Sequence, residues 1–281
     1  MTLQFSEPAR KPYEADNYFG RNIDKMPELL EYNRLPLSVS GFMKLRLKAL
    51  DLYASILENP KDSTPEYKRE VVKFFHDLWG NYADTGDGIL YHPDGKIRTD
   101  LDSESLRQIN PKSKMTPDGA VRLKSGLYAA SKMPELSKEE VQKYTGKLHS
   151  GEEALDNKLW RVFARDPNEV LTQYAEDPAL LKTYVKAFNH LAKTVFDYNN
   201  GMKIYVGSPQ KGVETARLVY VDRLESRSNA AGWARLDDDG SRLVGVAPEA
   251  PRLTVPSSER LEQIIATITK HSPEVQKLLA A

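Results

Sequence analysis

Apolar residues recur every three to four positions over two early stretches of the chain. From about Gly41 to Leu57, residues Phe42, Leu45, Ala49, Leu52 and Ile56 share one helical face, and Leu50, Tyr53 and Leu57 broaden it. From Pro65 to about Tyr82 the face is Tyr67, Val71, Phe74, Phe75, Leu78 and Tyr82. This spacing predicts two amphipathic helices packed as an antiparallel pair. A stronger stripe runs from Pro178 to about Tyr198 through Leu181, Tyr184, Val185, Phe188, Leu191, Ala192 and Val195. Asn199-Asn200-Gly201 reads as its stop.

Capping chemistry adds shorter helices between these. Ser137-Lys-Glu-Glu140 and Ser150-Gly-Glu-Glu153 have the form of capping boxes, in which a hydroxyl and a carboxylate satisfy each other's orphan amides. Thr64-Pro65, Thr116-Pro117, Asp166-Pro167, Asp177-Pro178 and Ser272-Pro273 place a capping residue before a proline, which costs nothing at the first helical position. Helices are therefore expected at about 103–109, 117–132, 138–148, 151–165 and 167–176. Another is expected from Ser257 or Ser258 with Leu261, Ile264, Ile265 and Ile268 inward, and a last one from Pro273.

Two regions follow a shorter period. Ile89-Leu-Tyr91 and Lys96-Ile-Arg98 flank His92-Pro-Asp-Gly95, a turn in which proline presets φ and glycine supplies positive φ, so a small hairpin is expected. Asp84-Thr-Gly-Asp-Gly88 before it reads as a turn. After Gly201 the segments Lys203–Val206, Ala216–Val221, Gly232–Leu236 and Arg242–Val246 read as strands, with Asp237-Asp-Asp-Gly240 as a hairpin loop. The expected fold class is α+β, mainly α: a multi-helix body with a small hairpin, then a C-terminal antiparallel β-meander and a terminal helix. Residues 1–38 read as an N-terminal extended arm with aromatics at Phe5, Tyr13, Tyr18 and Phe19. Residues 39–200 are the helical body, and residues 201–281 the meander with its helix, packed on that body.

Composition narrows the function classes. Forty Lys and Arg balance forty Asp and Glu over 281 residues, so no global field draws the chain to nucleic acid or anionic membrane. Cysteine is absent, which excludes disulfides, thiolate nucleophiles and cysteine metal sites. The N-terminus has neither a basic nor an apolar signal region, and no apolar run reaches the roughly 20 residues of a membrane span. The expectation is a cytoplasmic protein with no membrane contact.

Candidate chemistry is sparse. The histidines His76, His92, His149, His190 and His271 never stand at i, i+3 or i+4, so no helical metal pair exists. Asp84/Asp87, Asp100/Asp102 and Asp237–Asp239 lack the register of a calcium loop. Lys124-Ser125-Gly126 resembles one element of the penicillin-binding serine enzymes, but their Ser-x-x-Lys nucleophile is missing upstream. Gly207-Ser-Pro-Gln-Lys-Gly212 lacks phosphate-loop spacing. No catalytic residue is assigned, and no metal or cofactor is expected.

Two basic stretches remain. In 96–132, Lys112, Lys114, Arg122 and Lys124 cluster around an exposed loop fit to hold a phosphate or other anion. In 203–227, Tyr205 and Tyr220 interleave with Arg217, Arg223 and Arg227 on expected strands, as in sheets that stack single-stranded nucleic acid. The leading expectation is a non-enzymatic protein–protein interaction or assembly protein, accessory or structural, with a protein partner or self-association into an oligomer. The first alternative is nucleic-acid binding through 96–132 and 203–227. The second is a hydrolase whose carboxylates and histidines converge only in three dimensions.

Overall fold

The computed structural model of the chain describes residues 2–4, 14–150, 152–248 and 253–279. The chain begins with β1 (Thr2–Gln4), β2 (Glu14–Phe19), α1 (Asn22–Glu31), β3 (Leu35–Pro36), α2 (Val39–Glu58), α3 (Pro65–Trp79), β4 (Ala83–Tyr91), β5 (Ile97–Asp100) and α4 (Glu104–Arg107). It continues with β6 (Val121–Arg122), α5 (Leu127–Ala130), β7 (Glu135–Leu136), α6 (Lys138–Tyr144), β8 (His149–Ser150), α7 (Glu153–Asp156) and α8 (Lys158–Phe163). Last come α9 (Leu180–Phe196), β9 (Asn200–Gly201), β10 (Ile204–Val206), β11 (Thr215–Val221), β12 (Ala230–Gly232), β13 (Arg242–Val246), α10 (Ser258–Lys270) and α11 (Ser272–Leu279). The proposed residues Phe5 and Tyr13 lie outside the described residues.

The helices form where apolar stripes and caps agree. Thr64 caps α3 through Tyr67 N, and the Ser137–Glu140 box at α6 is complete in both directions. The first long helix starts at Val39 because Ser38, which accepts from Gly41 N at 3.0 Å, is its cap. Phe74, Phe75, Leu78, Leu181, Tyr184, Val185, Phe188 and Leu191 are all buried, and Tyr53 stacks on Phe75 at 4.5 Å. The helix α2 is buried almost all round, because α3, α9 and α10 pack on it and its inner side meets β4 and β11.

The expectation of a mainly α-helical chain with a C-terminal meander is overturned by the sheet. Among the described residues, eleven strands pair into one mixed sheet along the path β1-β2-β13-β4-β11-β12-β10. Off that path, β3 pairs with β13, β5 with β4, β6 with β11 and β7 with β5. The strands β12 and β13 are not hairpin partners. Instead β13 lies between β2 and β4, parallel to β4, and β12 runs parallel to β10. Residues 14–38 thus supply β2, α1 and β3 around the C-terminal strand.

Hidden strands explain the difference. Asp84–Gly88 looks like a turn by composition, yet it lies inside β4, all nine of whose residues are buried. Here the central ladder bulges: Leu218 faces Gly88 but Tyr220 faces Asp84, leaving unpaired residues on β4. Thr85 Oγ1 donates to Val219 O at 2.7 Å across the gap, while Gly86 N donates to Leu37 O and Gly86 O accepts from Ser103 N. A side chain at Gly86 would strike the Pro36 carbonyl, and one at Gly88 would strike Leu106. Glycine stands there for close approach, not for a turn.

Polar loops replace two expected helices. At Thr116-Pro117 the hydroxyl accepts from Ala120 N, closing a turn with Gly119 at φ +79 and leading into β6. Asp166 bonds Asn168 N instead of starting a helix over 167–176. The helix expected over 151–165 divides at Asn157, whose side chain caps α8 through Leu159 N and Trp160 N. Beyond α9 the reversal comes at Asp197, in the left-handed region at φ +53, ahead of Asn199.

Both faces of the sheet are covered. Along β11, Val219 and Val221 enter the core formed with α2, α3 and α9, while Ala216 and Leu218 join Leu90, Leu106, Ile109 and Leu243 on the opposite face. No helix among the described residues is long and apolar enough to cross a membrane.

One buried cation joins the layers. Arg46, 0% exposed, uses all five of its N–H groups. Nε donates to Leu78 O, Nη1 to Tyr184 Oη and Ser228 Oγ, and Nη2 to Asn81 O and Asp222 O. Removing it strands several buried acceptors, each costing about 1–3 kcal/mol. Arg46→Met should therefore lose at least about 3 kcal/mol, and Arg46→Lys should recover only part, since an ammonium cannot reach all five. Urea unfolding monitored by circular dichroism checks both. In the same assay Phe188→Ala, at 1% exposure, should cost about 3–5 kcal/mol.

Candidate functional site

Small residues carry one large ring to the surface at the end of the sheet. Gly232 must be glycine, since a Cβ there would collide with Ile89 and the Tyr91 hydroxyl. That hydroxyl donates to Gly232 O and accepts from Gly207 N at 3.2 Å. The following Trp233 is 54% exposed, and its ring lies 6.4 Å from that of Tyr205. The bulge in β4 places Tyr220 beside Asp84 and Ala231. Together Tyr82, Tyr220 and Trp233 wall a cavity of about 550 Å³ that Asp84 floors and Arg235, Asp238 and Ser241 edge. Phe19, 57% exposed, stands nearby at the end of β2, opposite Arg242.

The floor is electrostatically unusual. The Asp84 carboxylate accepts from Asn22 Nδ2 at 3.1 Å and from the Arg242 backbone N–H at 3.2 Å. No Lys, Arg or His among the described residues pairs with it. Burial lifts its pKa to about 6, against the hydrogen bonds that pull it down, and Asp238 adds to the rise. Burial also raises the hydroxyls of Tyr82 and Tyr220, with Asp84 contributing. Arg235 is engaged by Asp237 at 3.4 Å. The cavity therefore has aromatic walls and an uncompensated negative floor.

The proposed binding residues separate into distinct places. Lys112, Lys114, Arg122 and Lys124 line one cavity of about 720 Å³, together with Ile109, Val121, Leu123 and Leu127. They meet because Arg122 N donates to Lys114 O at 2.8 Å and the Asn110–Ser113 turn folds Lys112 back. Arg217 does not join them. It is 3% exposed and ties Asp118 (2.5 Å) and Ala234 O (3.2 Å) across the sheet. Tyr205 and Tyr220 belong to the aromatic end, Arg223 pairs with Glu225 at 3.1 Å, and Arg227 holds Asn200 and covers the Tyr198 ring. Arg122 pairs with Thr215, so Tyr220 lies five residues along β11, roughly 17 Å away.

The histidines stay apart. His149 bonds Asn157 at 2.9 Å and His190 contacts Thr269 at 3.3 Å, each with its pKa lowered by burial. Among the described residues no group of three or more His, Asp or Glu could hold a metal ion. Trp233 carried a signal that periodicity alone misses: one large ring between Gly232 and Ala234. Asp84 carried none, because turn-like composition masked its strand.

No family model matches this chain, and no curated protein matches it. A solved structure described as the accommodation of massive sequence variation in Nanoarchaeota by the C-type lectin fold is similar, with a TM-score of 0.55 and 13% identity. The match covers 85% of this chain and 100% of that one. The chain has a C-type lectin-like fold. That likeness also replaces the expected helical body and meander.

Asp84 makes stability depend on pH. Folded Asp84 holds its proton more tightly than the unfolded chain does, so its contribution is complete below about pH 4 and is lost as pH rises through 6. Asp84→Asn should flatten this decline, which is on the order of 3 kcal/mol between about pH 4 and 7. Urea midpoints of both proteins across that range measure it.

Proposed function

We propose that the chain is a non-enzymatic binding protein that engages a protein partner at the aromatic end of its sheet, receiving a cationic side chain or amino terminus there. The observation that carries this reading is Asp84: a buried carboxylate without a cation partner, beneath Tyr82, Tyr220 and Trp233. A cation over aromatic faces gains about 0.5–2 kcal/mol, more as water is excluded, and here it would also offset the buried charge. The likeness in fold supports the same reading. In the Nanoarchaeota structure the C-type lectin fold is described as accommodating massive sequence variation.

The alternatives have less support. The basic cavity has no aromatic lining, and the tyrosines that could stack a base lie roughly 17 Å off along the strand. For a hydrolase with a combined carboxylate and histidine site, the pocket that holds Asp84 and Asp238 offers carboxylates but no histidine.

Tryptophan emission gives a direct test. Trp79 and Trp160 are fully buried, so the emission open to solvent comes from Trp233. Titration with an arginine-rich peptide or with tetramethylammonium should change that emission saturably, and an uncharged peptide should not. Trp233→Ala should abolish the response, and Asp84→Asn should weaken binding about tenfold or more, a loss of about 1.4 kcal/mol. The response should also fade below pH 6, where Asp84 takes up its proton. Absence of a saturable change, or equal affinity in Asp84→Asn, would sink the proposal.

A further inference from the structure

The second cavity presents the opposite chemistry at the other end of β11. Lys112, Lys114 and Lys124 and the guanidinium of Arg122 are exposed, and none of them has an ion-pair partner among the described residues. Glu104 is the acid that lines the same space. Arg107 nearby is already engaged, with Asp102 at 3.7 Å. Like charges gathered in one concavity repel one another, and an anion would relieve that repulsion.

The remaining lining is aliphatic. Ile109 and Val121 are buried beneath the cations, Leu123 is half-buried, and Leu127 is 37% exposed, one of few large apolar side chains left in solvent. Its helix α5 follows Gly126, which adopts φ +86. The volume, about 720 Å³, falls in the range of small-molecule sites. No aromatic side chain lines it, so a nucleobase would find no stacking partner.

We infer that this cavity binds an amphiphilic anion, its phosphate-type head held by Lys112, Lys114, Arg122 and Lys124 and its aliphatic body lying over Leu123 and Leu127. The rigid frame is already present: Arg122 and Lys114 are bonded backbone to backbone, and Leu123 N donates to Glu214 O at 2.9 Å. The lysines supply charge without fixed geometry, whereas the guanidinium can grip two phosphate oxygens at once. This site is independent of the aromatic pocket, and either could fail without the other.

Isothermal titration calorimetry with octyl phosphate, kept below its micelle concentration, tests the inference on the full chain. Saturable one-to-one binding is expected, at least about tenfold tighter than that of inorganic phosphate. The double variant Lys112→Glu, Lys114→Glu should weaken it by about tenfold or more. Leu127→Ser should narrow the preference for octyl phosphate over phosphate; this side chain is exposed, so folding should be unaffected. Co-sedimentation with phosphatidylcholine vesicles containing phosphatidic acid would identify a lipid surface as the source. Binding of octyl phosphate without co-sedimentation would identify a free ligand. No saturable heat, equal affinity for inorganic phosphate, an unaffected double variant, or tighter binding of a short oligothymidylate would each overturn it.

Discussion

Arg46 holds together the parts of this fold that the apolar core cannot align by itself. Its guanidinium lies over the rings of Phe42 and Trp79, at 4.6 and 5.1 Å from their centroids, so cation–π contact with both offsets part of the cost of burial. Around its edge it binds carbonyls at the end of α3, the Tyr184 hydroxyl of α9, and two groups of the 222–229 loop. The bond to Leu78 O serves a carbonyl that a helix end leaves without a partner, and the bond to Asn81 O holds the chain just beyond that end. Trp79 closes the arrangement by donating Nε1 to Arg46 O at 3.0 Å. Two segments this one side chain grips lead to the aromatic pocket: α3 runs on to β4, which carries Asp84, and the 222–229 loop runs on through β12 to Trp233.

Two further polar centres extend that order into the sheet. Asp87 accepts from Val39 N at 2.8 Å and Asp102 N at 2.9 Å, and Arg165 bridges Asp87 and Asp102. Burial pushes the Asp87 carboxyl up while Arg165 opposes it; burial also works against the Arg165 charge, yet the two acids hold it protonated. Arg242 does comparable work between β13 and α3, bonding Asn17, Tyr82 O and the Asp77 carboxylate. Against these, Asp84 differs: it has donors but no cation. A carboxylate with the same burial and without the same compensation sets this pocket apart from the other two polar centres.

The long helices were legible in the sequence because one signal decides them: Phe42 to Ile56 and Leu181 to Val195 repeat at the helical period, and Thr64 and Ser137 cap with the chemistry they advertise. The sheet was half legible. Strands near Ile204, Ala216 and Arg242 alternate visibly, but their partners depend on contacts far along the chain. Nothing local distinguishes a β12–β13 hairpin from β13 inserted between β2 and β4. The central strand was illegible for a different reason. Asp-Thr-Gly-Asp-Gly has the composition of a turn, and only distant donors such as Asn22, Val39 and Arg165 make it tolerable in a core. For the candidate residues, Lys112, Lys114, Arg122 and Lys124 are near neighbours in sequence and converge. Arg217 is drawn into the interior by Asp118, a partner 99 residues away.

The placement of the two cavities follows from the strand that connects them. A strand buried on both faces leaves only its ends for solvent chemistry, and β11 spends its middle, Leu218 and Val219, on the two cores. At its start it pairs with β6, whose Arg122 cannot be buried unpaired and so turns outward beside Lys114. At its far end the bulge in β4 leaves Tyr220 next to Asp84, where burial has removed water but supplied no counter-charge. Net neutrality for the whole chain conceals this separation: a cationic concavity at one end of the strand and an anionic aromatic one at the other, roughly 17 Å apart. A balanced composition is therefore compatible with two surfaces of opposite preference. The strand between them holds the exposed cations roughly 17 Å from the aromatic end, beyond a Debye length of about 8 Å at physiological salt, so through solvent their field has largely decayed there.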